Sequence, residues 1–573
     1  MTFNIEVNKR IIQARRGETI LSALCRNGIQ VPTLCNMMDF TPTGACRMCV
    51  VEVEGNESLM PSCSFTVEEH MKVKTHSPRV LRARKTIVEL LLSNHPDDCL
   101  YCERNGNCEL QKMAEDLNVR ERRIPGKKSR FKIDKSSSCI VRDPAKCILC
   151  GRCVRICEEV QNVATIDFTF RGSRLGISPA MNKPLNFSNC ISCGQCLIVC
   201  PTGALTEKVQ FPELDQSLHD PAKKVIVQYS PTVSVSIAEE FGLRPGKDVN
   251  GLLNAALRKI GFDKVFDTSF GADIQFIEQA EEFLRRLESG ENLPFITGCC
   301  PSWIKYAEQN APGFLSKISS IKSPQQIAGA LIKTWVADKY GYQPKDIYSV
   351  SIMPCTSKKD EAQRAEMTRK GISDIDTVIT TRELVRLIRL NGIDILSLEP
   401  ENTDEPMGAL SSSGKLVGVS GGTMESLIRT IHFKNTGKEI TPGKFAKFRL
   451  ARGIKEFSFT LADKEIEAVA VSGMANAARI LEDIRTGRKK YNLIEIMACP
   501  GGCVNGGGQP ITRDENLLKV RAKSLYEFDS RESIKMPHKN PQIINIYNDF
   551  LSEPLGEMTR ELLSVNYTKP NVE

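Results

Sequence analysis

Two cysteine runs, KCILCGRCVRIC (residues 146–157) and NCISCGQCLIVCP (residues 189–201), share one spacing. Each run reads C-x2-C-x2-C-x3-C. Segments with this spacing hold 4Fe–4S clusters through cysteine thiolates, and two copies predict two clusters within one small domain. Zinc is the alternative for any set of four cysteines, but this spacing strongly favours iron–sulfur clusters.

In the bacterial ferredoxin pattern, the fourth cysteine of each run ligates the cluster of the other run. The predicted ligands of the first cluster are Cys147, Cys150, Cys153 and Cys200. Those of the second cluster are Cys190, Cys193, Cys196 and Cys157. We therefore expect a bacterial-type two-cluster ferredoxin domain over residues 136–209. Glu158 stands where the pattern has proline, so the first run should leave its cluster differently, and Cys139 has no assigned role.

The chain has 573 residues, 22 cysteines and a formal charge of +8. Its start, MTFNIEVNKR, lacks an apolar signal core, and no run approaches the ~20 apolar residues of a membrane span. Clustered cysteines without an export signal indicate metal ligands in a reducing cytoplasm. Thiolate-bound clusters offset part of the positive charge, so we expect neither a nucleic acid partner nor a membrane span.

The N-terminal residues 1–78 predict a plant-type 2Fe–2S domain. TFNIEV (2–7) and CVVEVEG (49–55) have strand patterns, and GETILSALCRNGI (17–29) has a helix pattern that places Cys25 in the core. The predicted ligands, spaced C-x10-C-x2-C-x13-C, are Cys35, Cys46, Cys49 and Cys63. This is a looser form of the plant-type spacing, and zinc is the less favoured alternative.

A second metal module is predicted over residues 79–135. In RVLRARKTIVELLLSNHPDDCLYCERNGNC (79–108), an apolar helix pattern ends at His95, just before Pro96. Three cysteines follow this histidine in the order H-x3-C-x2-C-x5-C, namely Cys99, Cys102 and Cys108. One histidine and three cysteines form a complete four-ligand set for zinc or for a 4Fe–4S cluster.

Beyond about residue 210, apolar strands run into turns and helices. Examples are KKVIVQYSP (223–231), IYSVSIMPCTSKKD (347–360) and KLVGVSGGTMESLIRT (415–430). This pattern predicts an α/β fold with functional groups at the carboxyl ends of strands. Neither G-x-G-x-x-G nor a P-loop occurs in the sequence, so we expect no nucleotide site within it.

Single cysteines now appear in three distant segments. Cys299 and Cys300 lie in FITGCCPSW (295–303), Cys355 lies in MPCTSKK, and Cys499 and Cys503 lie in EIMACPGGCVNGGGQP (495–510). The glycines carry no lysine or following hydroxyl for a phosphate, and they suit close backbone approach to a metal–sulfur centre. Scattered core cysteines are the alternative.

These three segments closely resemble the signature motifs of the iron-only (di-iron) hydrogenases, TSCCP, MPCxxKxxE and ExMxCxxGCxxGGGxP. The resemblance extends through the accessory domains and covers nearly the whole chain. It implies a multidomain α/β protein whose catalytic domain, residues 210–515, has two lobes. It also implies that the His95 module holds a 4Fe–4S cluster. The implied reaction is the interconversion of H2 with two protons and two electrons.

The resemblance also implies the active-site residues. The cubane of the H-cluster would be held by Cys300, Cys355, Cys499 and Cys503, with Cys503 bridging to a di-iron unit. Its irons carry CO, cyanide and azadithiolate ligands supplied by maturation proteins. Lys358 would donate a hydrogen bond to a cyanide. The pocket wall would comprise Ser230, Pro231, Thr232, Gln325, Met353 and Met497. Ser230, Gly298 and Val417 replace the family's frequent alanine, serine and phenylalanine.

Cys299, which adjoins a cluster ligand, is the expected proton carrier, because a thiol with a modestly shifted pKa exchanges protons near neutrality. In the family the route continues through a glutamate and a serine to a second glutamate. Ser319 and Glu282 match it, but Gln279 replaces the intermediate glutamate. The apolar stripe of a helix over 273–288 predicts that Gln279 flanks the buried face and that Glu278 points away. An amide cannot exchange a carboxyl proton, so a bound water or another path is needed.

The partners follow from the same resemblance. VRDPAKCILCGRCVRICEEV (141–160) resembles the hydrogenase subunits of NAD-linked, electron-bifurcating complexes, which implies a flavin/NAD-binding subunit and a small 2Fe–2S subunit. NPQIINIYNDFLSEPLGEMTRELL (540–563) has helical apolar spacing and predicts a docking or clasping helix within a C-terminal tail, 516–573. Ferredoxin as sole partner, a slow hydrogen sensor, and an electron-transfer or assembly subunit without hydrogenase activity are the alternatives.

Overall fold

A five-stranded sheet with one short helix forms the N-terminal part of the computed structural model, which describes residues 2–121, 123–128, 131–440, 442–461, 464–512 and 514–569. The strands are Thr2–Val7, Arg10–Arg15, Val50–Val53, Met60–Pro61 and Lys72–Lys74. The first two are antiparallel, and the first pairs in parallel with the last. The expected elements at 2–7, 17–29 and 49–55 are confirmed, the latter two with narrower bounds.

The helix Ile20–Arg26 corrects one expectation from the sequence. It begins after Thr19, whose hydroxyl accepts a hydrogen bond from the Ser22 amide. Its buried residues are Ile20, Leu21, Ala23 and Leu24, whereas Cys25 is exposed. Cys25 is therefore not a core residue, because the preceding apolar residues already cover the face that packs on the sheet.

The next segment is a long helix followed by two short ones. Pro78–Asn94 begins after the capping residue Ser77 and ends immediately before His95, as the sequence predicts. A 3-10 turn, Cys99–Tyr101, and a helix, Glu109–Asp116, complete it. Residues 122, 129 and 130 of the expected 79–135 module lie outside the described residues.

The two cysteine runs fold into matching short helices, Arg152–Arg155 and Gln195–Val199. Each begins after a glycine with a positive φ, 73° at Gly151 and 70° at Gly194. The second helix ends at Val199, just before Cys200 and Pro201, whereas the first continues as a π-helical turn, Ile156–Val160. The different exit expected from Glu158 is thus observed, because no proline stops the helix there. The strands are Ile140–Arg142, Asp167–Thr169, Gly176–Ser178 and Leu205–Glu207.

Two four-stranded sheets form the two lobes of the next region. The first sheet is parallel, with the order Lys264–Asp267, Lys224–Tyr229, Ile347–Met353, Thr377–Thr380. The second has the order Phe295–Ile296, Leu493–Met497, Lys464–Ser472, Ile454–Leu461, and only its last pair is antiparallel. The three signature segments follow the carboxyl ends of the strands that end at Ile296, Met353 and Met497, and Ser230 follows the strand that ends at Tyr229. This placement is the one expected for an α/β site.

Helices surround both sheets. They are Phe211–Leu218, Pro231–Ile237, Asn250–Ile260, Ser269–Ser289, Pro301–Asn310, Pro324–Leu331, Ala337–Tyr340, Ser357–Ala362, Thr381–Leu390, Ser412–Lys415, Gly422–Thr436, Ala446–Leu450 and Met474–Arg485. Many begin directly after a strand, so the alternating pattern predicted from the sequence holds for most of this region.

The segment 415–430 contradicts the predicted strand. Ser412–Lys415 is helical and is capped by Ser411, whose hydroxyl accepts a hydrogen bond from the Gly414 amide. A 3-10 turn, Leu416–Gly418, follows. A Cβ at Gly418 would lie 2.1 Å from Cγ2 of Thr232, so the chain packs directly on a neighbouring helix. The serine cap and this close packing, which apolar alternation does not reveal, explain the difference.

The helix Ser269–Ser289 lies between two apolar cores. Phe276, Ala280 and Phe283 pack into one core, and Phe270 and Ile274 into the other. Every residue from 269 to 280 is buried. The one-sided stripe expected over 273–288 is therefore wrong for the first half of this helix, because both lobes cover it.

The tail wraps around the two-lobed region. Its helices are Glu515–Arg531, Pro541–Ile546 and Glu557–Leu563, with a π-helical turn at Tyr547–Leu551. The single helix suggested over 540–563 is thus broken, by Ser552 at a φ of 67° and by the nearby Pro554. Ile546 and Leu563 pack in the same core as Phe270, so the segment is a clasp. Residues 570–573 lie outside the described range.

No helix in the described part of the chain combines the length and apolar character needed to cross a membrane.

Candidate active site and cluster cavities

Two cavities lie between the matching short helices. The first is lined by Cys147, Cys150, Cys153 and Cys200, together with apolar side chains such as Ile166 and Ile177. The second is lined by Cys157, Cys190, Cys193 and Cys196. The fourth cysteine of each run thus faces the cavity of the other run, which is the grouping expected from the spacing. Four thiols around an apolar cavity are a suitable donor set for a 4Fe–4S cluster.

The four cysteines of the N-terminal group lie together. The Cys46 amide donates a hydrogen bond of 3.5 Å to Sγ of Cys35, and Cys49 and Cys63 are buried beside the N-terminal sheet. In the neighbouring module, Nδ1 of His95 is buried without a hydrogen-bond partner among the described residues. A buried imidazole nitrogen without a protein partner suits a metal ligand.

No three histidine, cysteine, aspartate or glutamate side chains in the described part of the chain are arranged to hold a single metal ion.

Three buried arginines join the segment that carries the two cysteine runs to the N-terminal domain and to the His95 module. Arg104 donates to the Cys200 carbonyl oxygen, and Arg155 donates to the Thr41 and Cys35 carbonyl oxygens. The fully buried Arg152 donates two 3.0 Å hydrogen bonds to Glu109. Nothing in the cysteine spacing indicated these arginines, because they contact backbone or carboxylate groups from separate domains.

The inner cysteines converge between the two lobes. Cys300 accepts a hydrogen bond from the Ala498 amide at 3.5 Å, and Cys355 lies 3.0 Å from the Ser357 hydroxyl. Burial, with the thiols of Cys355 and Cys300 beside it, raises the pKa of Cys499 well above its ordinary value. The same causes raise the pKa of Cys503. These four thiols, from three distant segments, form one buried donor set that fits a cubane cluster.

The glycine-rich segment lies against backbone atoms of two other segments. A Cβ at Gly506 would lie 2.2 Å from the Pro354 carbonyl oxygen, and one at Gly507 would lie 2.4 Å from that of Cys193. Only glycine permits such approaches. The glycines predicted to approach a metal–sulfur centre therefore bring three cysteine-bearing loops together.

Gln195 adds a polar contact between the second cysteine run and the glycine-rich segment. Its buried amide nitrogen, Nε2, lies 3.3 Å from Sγ of Cys499 and 2.9 Å from the Asn505 carbonyl oxygen. Sequence reasoning missed Gln195, although its position between Cys193 and Cys196 was a signal.

Lys358 is held at the same site by a polar network. Its ammonium donates to the Ser323 hydroxyl at 2.7 Å and to Oε2 of Glu361 at 2.8 Å. Gln325 donates to the same Glu361 oxygen at 3.2 Å. Two of the three ammonium hydrogens are used, which leaves one donor for a ligand. Glu361, the last residue of MPCxxKxxE, therefore orients the lysine.

The other residues of the predicted pocket wall also lie near the carboxyl ends of strands. The hydroxyls of Ser230 and Thr232 are 2.9 Å apart, and Pro231 begins the following helix. Met353 and Met497 are the buried last residues of their strands. A Cβ at Gly298 would lie 3.5 Å from the Ser319 carbonyl oxygen, an ordinary contact, so the family's serine would fit there. Val417 is partly buried in the core that contains Phe276.

Cys299 is held as a thiol. Burial, followed by the negative charge of Glu495, raises its pKa to about 12. This rise is larger than the modest shift considered from the sequence. The sulfur therefore keeps its proton at neutral pH unless a bound group changes the local charge.

The outer end of the expected proton route is connected. The Ser319 hydroxyl donates to Oε2 of Glu282 at 2.7 Å. Oε1 of Glu282 accepts hydrogen bonds from Arg286 at 2.6 Å and from the Ser320 hydroxyl at 2.9 Å. Both polar side-chain atoms of Gln279 are buried without a hydrogen-bond partner among the described residues.

Glu278 faces a different part of the molecule. Its carboxylate accepts hydrogen bonds from the Tyr547 hydroxyl at 2.5 Å and the Leu555 amide at 2.8 Å, both in the tail. Burial raises its pKa to about 7. These contacts agree with the expectation that Glu278 points away from the route that passes Gln279.

Five family models match the chain. They describe a 2Fe–2S iron–sulfur cluster binding domain (residues 1–78), the NADH-ubiquinone oxidoreductase-G iron–sulfur binding region (84–123), a 4Fe–4S dicluster domain (146–204), the C-terminal domain of the iron-only hydrogenase large subunit (223–507) and the iron hydrogenase small subunit (515–570). The mixed α/β chain therefore contains 2Fe–2S, 4Fe–4S and hydrogenase domains.

The NADP-reducing hydrogenase subunit HndD of Solidesulfovibrio fructosivorans is 41% identical over 99% of this chain and 98% of its own length. The chain belongs to the iron-only hydrogenase family. Of solved structures, a variant of apo [FeFe]-hydrogenase HydA1 from Chlamydomonas reinhardtii is 36% identical with a TM-score of 0.56. That match covers 63% of this hydrogenase and 99% of HydA1. Protein NAR1 of Arabidopsis thaliana, 31% identical, covers 64% of this hydrogenase and 83% of its own length.

Proposed function

We propose that this oxidoreductase catalyses reversible hydrogen oxidation and proton reduction in the cytoplasm, at an H-cluster fed by an iron–sulfur wire. The observation that carries the proposal is the convergence of Cys300, Cys355, Cys499 and Cys503 beside the oriented Lys358. A single remaining ammonium donor next to four buried thiols suits a cluster that carries anionic ligands. The membership in the iron-only hydrogenase family supports the same reaction.

The proposed cofactors are one 2Fe–2S cluster, three accessory 4Fe–4S clusters and the H-cluster. The H-cluster comprises a cubane and a di-iron unit with CO, cyanide and azadithiolate ligands. The two cysteine-lined cavities support two of the 4Fe–4S clusters, and the partnerless Nδ1 of His95 supports the third. The ligand set Cys35, Cys46, Cys49 and Cys63 is proposed for the 2Fe–2S cluster on spacing and burial.

When bound, the H-cluster supplies the chemistry that makes and breaks the H–H bond, and the protein supplies position, electrons and protons. Lys358 orients an anionic ligand. Ser230, Pro231, Thr232, Gln325, Met353 and Met497 exclude water around the di-iron position. Gln195 and Gly507 hold the second ferredoxin cavity against the inner cysteines, which suits electron transfer between them.

The proposed proton route runs from Cys299 past Gln279 to Ser319 and Glu282. The Ser319–Glu282 hydrogen bond supports its outer end. At Gln279 the amide serves as a hydrogen-bond partner for a water, because it has no acidic proton to exchange. Glu282 then releases protons to solvent.

We further propose that this subunit works with a flavin/NAD-binding subunit and a small 2Fe–2S subunit. The relative named as an NADP-reducing hydrogenase subunit supports this assembly. The sequence carries no dinucleotide fingerprint of its own. Ferredoxin as sole partner is the second candidate, and maturation proteins are the source of the di-iron ligands.

Purified matured protein tests both parts of the proposal. With H2 it should reduce a viologen dye but should not reduce NAD or NADP until the partner subunits are added. Direct nicotinamide reduction by the isolated chain would overturn the partner assignment. Cluster-loaded protein that never reduces the dye would favour the electron-transfer or assembly alternative, for which the similarity to Protein NAR1 is the specific observation. Slow but measurable turnover would favour the alternative that the protein is a hydrogen sensor.

A further inference from the structure

A cleft of about 420 Å³ opens to solvent beside Glu282, outside the cysteine cavities. It lies between the Ser269–Ser289 helix and the clasp. Its lining comprises Glu282, Arg285, Arg286, Ser320, Leu555, Arg560 and Ser564. The outermost residue of the proposed proton route is therefore one wall of a basic, hydroxyl-lined cleft.

The arginines differ in the donors that they leave free. Arg286 bonds to Glu282 and to the Asn292, Lys317 and Ile318 carbonyl oxygens, so its donors are used internally. Arg285 pairs with Glu281 through Nε alone, at 2.9 Å, and its side chain is 49% exposed.

The side chain of Arg560, from the clasp, makes neither a hydrogen bond nor an ion pair with any residue in the described part of the chain. Glu282 pairs with Arg286 and Glu281 pairs with Arg285, so the excess positive charge of the cleft comes from Arg560, and Arg285 contributes further unused donors.

We propose that this cleft binds a small oxyanion of a weak acid, such as inorganic phosphate or bicarbonate, which exchanges protons with Glu282. Guanidinium groups bind such anions through paired, charge-assisted hydrogen bonds, and the hydroxyls of Ser320 and Ser564 provide further donors. The inference rests on the proposed function for the source of the protons, but the binding site does not depend on it.

The proton transfer is balanced for phosphate. During H2 oxidation, the O–H bond of protonated Glu282 breaks and a new O–H bond forms on HPO4²⁻, which leaves a carboxylate and H2PO4⁻. Proton reduction runs the same step in reverse. Oε2 of Glu282 suits this exchange, because its one hydrogen bond connects it to Ser319.

Binding is tested on the full-length, cluster-containing protein by following the ³¹P line width during a phosphate titration. We expect saturable binding that the double variant Arg285→Gln/Arg560→Gln weakens about tenfold or more, since hydrogen bonds to charged groups are lost. Arg485→Gln is the matched control, because Arg485 is also an exposed helical arginine paired with a glutamate, Glu482. Unsaturable binding, or equal weakening by the control, would overturn the site.

Proton exchange is tested by turnover at constant ionic strength in phosphate and in sulfate. Sulfate matches phosphate in shape and charge but does not take up protons at neutral pH. Phosphate should raise turnover with the half-saturation measured by NMR, and sulfate should compete with it. Equal responses to both anions would overturn the exchange step. Protein that binds phosphate but lacks H2 chemistry altogether would contradict the proposed function instead, and the binding titration would still stand.

Discussion

The side-chain amide of Gln195 donates a 3.3 Å hydrogen bond to the sulfur of Cys499, across the contact between the two-cluster domain and the catalytic region. Gln195 lies between two cysteines of the second ferredoxin cavity, and Cys499 belongs to the inner set. The same amide also bonds to the Asn505 carbonyl oxygen. One side chain therefore joins two proposed cluster sites and places a donor on the sulfur of a proposed ligand.

Replacing Gln195 with leucine should lower the reduction potential of the inner cubane. Hydrogen bonds to ligand sulfurs stabilise the reduced, more negative cluster, so their loss favours oxidation. A hydrogen bond with a net free energy of ~1 kcal/mol corresponds to a change in reduction potential of roughly 40 mV for a one-electron couple. Potentiometric infrared or EPR titration measures the shift. Gln161→Leu is the control, because Gln161 is a buried glutamine that bonds to the Ala498 carbonyl oxygen and, within the described part of the chain, to no sulfur. An equal shift in both variants would contradict the role of the sulfur contact.

Cys299→Ala should leave the clusters assembled but reduce turnover by about 10² or more, the scale of a lost general acid–base group. Cys299 is partly buried beside the proposed ligand Cys300, and it is the innermost group of the proposed route. Iron content, cluster spectra and H2 evolution measure the two effects separately. Cys25→Ala, at an exposed cysteine without a ligand role, is the control. Full activity in Cys299→Ala would contradict the proposal that Cys299 carries protons next to Cys300.

Gln279→Glu should be tolerated and should maintain or increase turnover. The buried amide has no hydrogen-bond partner among the described residues, and a carboxyl group at the same position could exchange a proton, which an amide does not. Gln326→Glu provides a matched control, because Gln326 is also buried with both polar atoms unpartnered in the described part of the chain. The control should lose stability without a rate gain. Slower turnover in Gln279→Glu than in wild type would argue against a route past this residue.

The clasp should weaken as pH rises from about 4.5 towards 7. Burial raises the pKa of Glu278 to about 7 in the folded protein, so the folded state binds the proton more tightly than the unfolded state does. The stability that protonated Glu278 contributes is fully present at pH values below the pKa of the unfolded state. It is lost as pH rises through the pKa of the folded state, and the loss is at most about 3 kcal/mol. Hydrogen exchange across residues 547–563 measures it. Glu278→Gln should flatten the profile, and an unchanged profile would assign the effect to another group.

The sequence predicted those parts of the site that depend on local spacing. The cysteine runs indicated which four thiols share each ferredoxin cavity, and the strand patterns placed Tyr229 and Met353 at strand ends. Contacts between segments distant in sequence could not be read in this way. Gln195, Arg152 and the Arg560 side of the cleft depend on how separate domains meet. The strand predicted over 415–430 failed for the same reason, because packing of Gly418 against Thr232 outweighs local apolar alternation.

The central claim is that the four inner cysteines hold an H-cluster, and the infrared spectrum of the matured full-length protein tests it most directly. The account predicts sharp bands from metal-bound CO and cyanide that disappear in a Cys503→Ser variant matured in parallel. It also predicts that H2 changes the positions of these bands. Iron–sulfur-loaded protein that shows no CO or cyanide bands after maturation would contradict the claim.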